Sequence, residues 1–593
     1  MNAKNSIAEL ARWIDALPNT RRLAGHELHN YRKQFVDGWR IDLNLAENVS
    51  INLLITAQFP FVSPKIALID RTKFLSWPHV EKDGCLCVFP PNTNVDPYRP
   101  VEVAKSLVAE TEALLQCLLD GNLDDDFNRE FDSYWLLSSD DLRHQFFSIL
   151  PDGCDSQKVA VWSSSKFRII GADEKSVLCW LKNRLQKDYD RTDTGFLVKL
   201  SKPLSPEEYP DCTEALLALI SEDAPNFLES ISDHIAKSFQ PLTIILAISA
   251  TNGTNYGVVE LCRLLRANEK VSKCGRSNRV SVNGFRDGKA PLSVQLSQQT
   301  KYTKVVRSPL ERADAEWALG GRGHDPRFAV LQKQRVAIVG LGSFGSFLTD
   351  NLIQAGLGQV AMFDGDLMRW ENTGRHLLGG DTVGQNKTDA LKRRFETNYP
   401  TIVSCESNPV DWQQRIETAE SLDGFDLVIS TTGSWKAECM LNDLHECSGK
   451  RTPIVYAWLE PFAAAGHAVA IMERSGCLQC GFTGAGQFSR RVFDWPAAPT
   501  TMVSQAGCGN EFQPYGITDS LHSIAMAVDL SVECLLGQLT ASTHRVWINK
   551  DRKIDPIQRG WSVAWQTVPN FDTREEVVSE FPWSARPDCQ RCS

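Results

Sequence analysis

The sequence predicts a multidomain α/β and α+β protein, on three observations. Its 593 residues are too many for one core, because domains run to about 100–200 residues. Residues 1–150 read as helix, alternating strands, loop and helix, an α+β order. Residues 335–366 read as a short buried strand that ends in glycines and opens a helix, the start of a parallel α/β unit. The expected division is an α+β domain at 1–150, an α/β linker domain at 151–310 and a larger α/β domain at 311–593.

Composition narrows the function classes. Hydrophobic residues make up 42% of the chain, enough for globular cores. The net charge of −10, without a basic tract, argues against nucleic acid as a partner. The first helical stretch carries charges throughout and has no secretory apolar segment. No run approaches the roughly 20 apolar residues of a membrane span, so no membrane partner and a cytoplasmic location are expected. In that reducing setting the 17 cysteines read as metal ligands, thiol nucleophiles or small buried hydrophobes more than as disulfides.

In the first domain, Ile7, Leu10, Ala11, Ile14 and Leu17 give one apolar helical face, which Pro18 ends. Residues 39–45, 51–57 and 65–69 alternate and are split by turn residues or proline, an antiparallel meander, and residues 101–119 form a second amphipathic helix. Within this frame, Phe59-Pro60-Phe61-Val62-Ser63-Pro64 is followed by His79 and then by Gly84-Cys85-Leu86-Cys87. That sequence of features resembles the ubiquitin-conjugating enzymes. The resemblance implies that Cys87 is the acceptor thiol and that His79 shapes the loop beside it. The family's Pro-Asn after the histidine is replaced by Val80-Glu81. A thiolate attacks a thioester at neutral pH without strong basic help, which is why such transfer uses cysteine. Cys85 is the rival thiol, and in an extended segment its side chain points away from that of Cys87. A buried structural cysteine is the competing reading.

The middle region reads as strands at 159–170 and 195–200 with a helix at 174–185 between them, then a strand at 242–248 turning through Gly253 into a helix at 258–265. It lacks the Gly/Ser or Pro bias of an open linker, so a folded α/β spacer is expected.

The third domain is organised by Val336-Ala337-Ile338-Val339 and the G-x-G-x-x-G of Gly340, Gly342 and Gly345. Phe344, Phe347, Leu348 and Leu352 follow at helical spacing, so the helix N-terminus faces a phosphate. A second strand ends at Asp364, where an acid can hold a ribose in a Rossmann-like unit. Asp366, Asn372, Arg375 and Lys387 trail it, a set suited to a triphosphate more than to a nicotinamide dinucleotide. From about residue 312 onward the chain resembles the ThiF-like superfamily of adenylating enzymes, which includes the ubiquitin-activating enzymes. The resemblance implies ATP and Mg2+ as cofactors, Asp364 on the ribose, and Asn372, Arg375 and Lys387 on the phosphates, with Arg375 and Lys387 serving catalysis. It further implies that Arg322 reaches the phosphates, often across the interface of a homodimer. Gly433 stands where relatives carry a magnesium-binding aspartate. Either Asp366 and water carry the metal or adenylation is impaired.

Two C-x-x-C pairs, Cys477/Cys480 and Cys589/Cys592, can give four thiolates to Zn2+, an arrangement that the thiamine and molybdopterin activating enzymes share. Redox pairs are the alternative, though neither sits at a thioredoxin-like strand-to-helix junction. Cys508 lies between Gly507 and Gly509, ahead of an apolar helix expected from about residue 518 to 536. Thioester-forming relatives place a cysteine there, and flanking glycines permit the travel that attack on a fixed acyl-adenylate requires.

An adenylating pocket, Cys508 and Cys87 on one chain describe a relay in which a C-terminal carboxylate is adenylated, held as a thioester and passed to an acceptor lysine. The order resembles the fused activating and conjugating enzymes of bacterial antiphage CBASS operons, which act on a cGAS-like nucleotidyltransferase. Three other readings stay open. They are a sulfur-carrier adenylyltransferase with a non-catalytic conjugating-like domain, a nicotinamide oxidoreductase, and a scaffold.

Overall fold

The computed structural model of the chain describes residues 3–31, 34–45, 48–89, 93–121, 124–140, 144–250, 253–264, 290–321, 323–472, 476–484, 486–495, 503–504, 511–512, 514–550, 560–568, 571 and 573–592. They form two compact units, one of residues 1–147, 152–168 and 193–311, the other of residues 148–151, 169–192 and 312–593. No described helix is long and apolar enough to cross a membrane.

The first unit begins with the helix Ala3–Asp15, whose Leu10 and Ile14 are fully buried. A meander follows in chain order, β1 (Thr20–Arg22), β2 (Phe35–Asn44), β3 (Asn48–Thr56), β4 (Lys65–Leu68) and β5 (Cys85–Leu86), each paired with the next. Ile51, Leu53 and Ile55 of β3 point to one face, where the helix Pro100–Leu119 contributes Ala104, Leu107 and Leu115. Helix, meander and helix thus appear as expected from the apolar spacing, with the short strands β1 and β5 in addition.

Downstream the expectation of an α/β spacer is corrected. β6 (Gln145–Ser148), β7 (Gln157–Ser163), β8 (Phe167–Gly171), β9 (Asp193–Lys199), β10 (Leu242–Ala250), β11 (Gly253–Arg263) and β12 (Thr303–Arg312) close a barrel in the order β10-β11-β12-β6-β8-β7-β9. The helix expected at 258–265 is instead β11, antiparallel to β10 with Val258 opposite Ile245 and Tyr256 opposite Ala247. The helix Glu174–Leu185 is where its pattern put it. Gly257 lies flat against Trp135, whose ring stands 2.6 Å from where a Cβ would be, and Trp135 Nε1 donates to the Ser308 carbonyl at 2.8 Å.

The second unit is built on a sheet of eight strands: β13 (Arg335–Val339), β14 (Gln359–Phe363), β15 (Ser404–Asn408), β16 (Leu427–Ser430), β17 (Ile454–Leu459), β18 (Ala465–Ile471), β19 (Thr543–Ile548) and β20 (Val578–Pro582). Their order is β15-β14-β13-β16-β17-β18-β19-β20, parallel through β17 and antiparallel beyond. Val336 and Ile338 feed one core with Leu348 and Leu352 of the helix Ser343–Gln354 and Leu530 of the helix Ile517–Leu535. Ala337 and Val339 feed the other, with Leu441 and Trp583. Burial on both faces explains why β13 reads as an unbroken apolar run. Chain order reverses at β13, between β14 and β16, and the crevice beyond the carboxyl ends of such strands is where ligands bind.

Candidate functional site

At that reversal lies a cavity of about 530 Å³ lined by Gly342, Ser343 and Phe344 of the glycine loop, by Asp366, Asn372, Arg375 and Lys387, and by Thr431–Gly433 after β16. The loop is held tight by its glycines. Gly340 has φ +87°, and a Cβ on Gly345 would fall 2.0 Å from the Gly340 carbonyl oxygen, so neither position accepts a side chain. Thr431 Oγ1 donates to that same carbonyl at 2.6 Å, which ties the turn to β16. Gly342 is the glycine that faces the cavity; Gly340 and Gly345 sit behind it.

Asp364 lies beneath the loop and is not among the lining residues. Its oxygens accept the N–H of Leu341 at 2.7 Å and of Asp366 at 2.8 Å, and burial pushes its carboxyl above the usual range. Lys387 opens the helix Lys387–Asn398, is buried, and sets its Nζ 2.7 Å from Asp366 Oδ2 and 4.0 Å from Asp364 Oδ1. Asn372 Oδ1 accepts the Arg369 N–H at 3.0 Å, which orients the turn that leads to Arg375. The Arg375 guanidinium carbon stands 4.9 Å from the centre of the Tyr515 ring. Two cations and an amide therefore converge on one wall, beside the N-terminus of the helix Ser343–Gln354, a combination suited to phosphate oxygens.

Of the lining groups that the sequence did not single out, four bear on the chemistry. His376 follows Arg375, and burial pushes its imidazole down to about 4; its Nε2 donates to the Leu341 carbonyl at 2.7 Å while Nδ1 accepts the Leu378 N–H at 3.0 Å. Trp435 and Trp458 supply an apolar side. Glu438 is the fourth. It stands in the first turn of the helix Trp435–Cys447, which Ser434 caps, and it is 4% exposed. Burial pushes its carboxyl up to about 7, against hydrogen bonds from Thr432 Oγ1 at 3.2 Å, from Ser430 Oγ at 3.5 Å and from the Gly433 N–H.

The cysteine pairs meet. The sulfurs of Cys477, Cys480, Cys589 and Cys592 all lie within 4.8 Å of one another, with separations of 3.9 Å for 477/480, 3.7 Å for 477/589 and 3.2 Å for 480/592. A tetrahedral ion with bonds of about 2.3 Å to sulfur needs edges of roughly 3.8 Å, so the set fits one metal ion. Hydrogen bonding from Cys477 holds the Cys480 thiol below the usual thiol range, and the Arg586 N–H points at the same sulfur at 3.4 Å.

In the first unit, Cys85 is buried on β5 opposite Ala67, whereas Cys87 is exposed. The Cys87 N–H donates to the His79 carbonyl at 2.9 Å. His79 holds φ +62°, its own N–H donating to Tyr134 Oη at 2.8 Å, and its ring stands 3.4 Å from Asp126 Oδ2 and 3.9 Å from Glu130 Oε1. Cys508 and Arg322 lie outside the described residues.

The ThiF family matches residues 321–513, and the Prokaryotic E2 family B matches residues 11–143. The chain is 23% identical over 536 residues to an ATP-dependent ubiquitin transferase-like protein Cap2 of Escherichia coli (strain TW11681), a match spanning 82% of this chain and 87% of that protein. It is 23% identical over 517 residues to the protein of the same description in Pseudomonas aeruginosa (strain BWHPSA011 / Pa011), across 83% of this chain and 87% of the other. Ubiquitin-like modifier-activating enzyme 5 of Drosophila mojavensis is 29% identical over 159 residues, 25% of this chain and 39% of that one.

Proposed function

We propose that this chain, which joins a Prokaryotic E2 family B domain to a ThiF family domain, uses ATP to activate the C-terminal carboxylate of a partner protein and conjugates it to an amine. It is an enzyme of combined activating and conjugating type. The observation that carries the reading is the pairing, on one polypeptide, of a cavity lined by Asn372, Arg375 and Lys387 in the ThiF-matched segment with an exposed Cys87 in the E2-matched segment.

The steps balance as follows. A carboxylate oxygen of the partner attacks the α-phosphorus of ATP, and pyrophosphate leaves as Arg375 and Lys387 hold the developing charge. The Cys508 thiolate attacks the acyl carbon and AMP departs. The Cys87 thiolate displaces Cys508 from the thioester, and a lysine amine displaces Cys87, losing a proton to form an isopeptide. Magnesium, when bound, neutralises triphosphate charge, and the cavity carboxylates suit it. The four clustered cysteines would hold zinc, and the bound ion would tie the 477–480 turn to the 589–592 turn. The partner is a cGAS-like nucleotidyltransferase in antiphage defence, the acceptor is a protein lysine, and the activating part works as a homodimer in the cytoplasm.

The test is incubation of the full chain with that partner and ATP, read on non-reducing gels. A thiol-sensitive adduct is expected, absent with Cys508→Ala and retained without onward transfer with Cys87→Ala. Absence of both the adduct and partner-dependent pyrophosphate exchange sinks the reading.

A further inference from the structure

The cavity has a charge to balance. A bound triphosphate arrives with a divalent ion, and magnesium takes one or two protein carboxylates, phosphate oxygens and several waters. Asp366 and Glu438 are the carboxylates that line the described cavity. The Asp366 side chain is 75% exposed and its Oδ2 is already engaged by Lys387. Glu438 is the reverse, a buried carboxyl that no described basic side chain joins in a salt bridge. Taking a carboxylate out of water costs several kcal/mol, roughly, unless it takes up a proton or a cation meets it.

Its placement says which cation. Gly433 has φ +60°, and a Cβ built there meets nothing within 4 Å, so the wall is open at the position where a carboxylate at the end of β16 would stand. Glu438 borders the same turn from the following helix, with its atoms more than 4 Å from that Cβ position. It accepts the Gly433 N–H itself, and the hydroxyls of Ser430 and Thr432 both fall on Oε1. These three groups belong to the strand end and turn that carry Gly433, so they hold the glutamate beside that turn.

Resting on the adenylation reading above, we propose that Glu438 is the protein carboxylate that binds the magnesium ion of the nucleotide, in place of the side chain Gly433 lacks.

The test reads metal binding apart from turnover. The affinity of the full chain for a non-hydrolysable ATP analogue is measured by calorimetry with magnesium and with EDTA. Magnesium is expected to tighten binding about tenfold in the native chain, relative to the same chain in EDTA, and Glu438→Gln to reduce that gain to within about twofold of its own affinity in EDTA. Adding Gly433→Asp to Glu438→Gln is expected to restore the gain, since aspartate tolerates positive φ better than most residues. A second measurement needs no variant. With Mn2+ and the analogue bound to protein labelled with 13C at the glutamate side-chain carboxyl, electron–nuclear double resonance should show a directly coupled ligand carbon. A full magnesium gain in Glu438→Gln, a gain lost only in Asp366→Asn, or no 13C coupling overturns the proposal. If the native chain binds no analogue in either buffer, the adenylation reading falls with it, which separates the two failures.

Discussion

Tyr515 Oη and Ser343 Oγ lie 2.5 Å apart, so the residue just ahead of the helix Ile517–Leu535 is fastened to the first residue of the helix that follows the glycine loop. The same ring faces the Arg375 guanidinium. One side chain therefore links the loop, an arginine of the cavity wall and the segment downstream of Cys508. Tyr515→Phe keeps the ring and removes one hydrogen bond, worth about 1 kcal/mol, so a loss of about fivefold in apparent ATP affinity is expected. Tyr515→Ala also removes the ring beside Arg375 and should cost more than about tenfold. Pyrophosphate exchange at varied ATP checks both, and an alanine variant with native affinity would show that the contact is incidental.

The histidine beside Arg375 gives the pocket an acid limit. His376 is held neutral by burial, with its folded pKa at about 4 against an ordinary 6.5. Between those values the unfolded chain binds the proton that the folded chain refuses. The stabilising contribution is thus complete above pH 6.5 and lost as pH falls toward 4, at most about 3 kcal/mol. Thermal unfolding at pH 7.5 and pH 5 should show a smaller acid loss for His376→Gln than for the native chain. Some acid sensitivity is expected to persist, because burial holds His445 down to about 4 as well. Equal acid losses in the two proteins would remove His376 from this role.

Much of this pocket was legible because its determinants are local. The turn at Gly340, the packing at Gly345 and the cations at Arg375 and Lys387 follow β13 and β14 at short spacing, and the sheet then delivers them together. The barrel was not legible. β11 is buried along nearly its whole length, from Thr254 to Leu261, so it lacks the alternation that marks a half-exposed strand, and a short apolar run does not distinguish strand from helix. Asp364 shows a second limit. Spacing places an acid after β14, but only three-dimensional structure reveals that its oxygens are occupied by the N–H groups of Leu341 and Asp366. Glu438 shows a third, since an acid in the first turn of a capped helix ordinarily faces water.

The four-cysteine cluster joins the 477–480 turn to the last residues of the chain, and Trp583 strengthens the join by donating from Nε1 to the Cys477 carbonyl at 2.9 Å. About one zinc per chain is expected from elemental analysis. Removal by a chelator, or Cys589→Ser, should lower the unfolding temperature of the ThiF-matched part by several degrees, roughly, because metal binding is coupled to folding. Since none of the four cysteines lines the cavity and only Phe482 beside them does, nucleotide affinity below that temperature should change less than about threefold. A metal-free chain of undiminished stability would contradict the assignment.

Cys85 and Cys87 separate packing from chemistry within three residues. Cys85 is 3% exposed and packs with Leu54 and Ala67, so Cys85→Ser buries a stronger polar group and should destabilise the first unit by about 1–2 kcal/mol. Cys87 is exposed and hydrogen-bonded only through its backbone to His79 among the described contacts, so Cys87→Ser should leave stability within about 0.5 kcal/mol. Transfer should respond in the opposite sense. At a temperature where both variants are folded, Cys85→Ser is expected to pass the acyl group to lysine at close to the native rate. Cys87→Ser should trap it as an oxygen ester that survives reducing agent, because an alkoxide is a poorer leaving group than a thiolate. Gel analysis of the adduct before and after dithiothreitol distinguishes these outcomes, and a reducible adduct that persists in Cys87→Ser while vanishing in Cys85→Ser would reverse the assignment of the acceptor thiol.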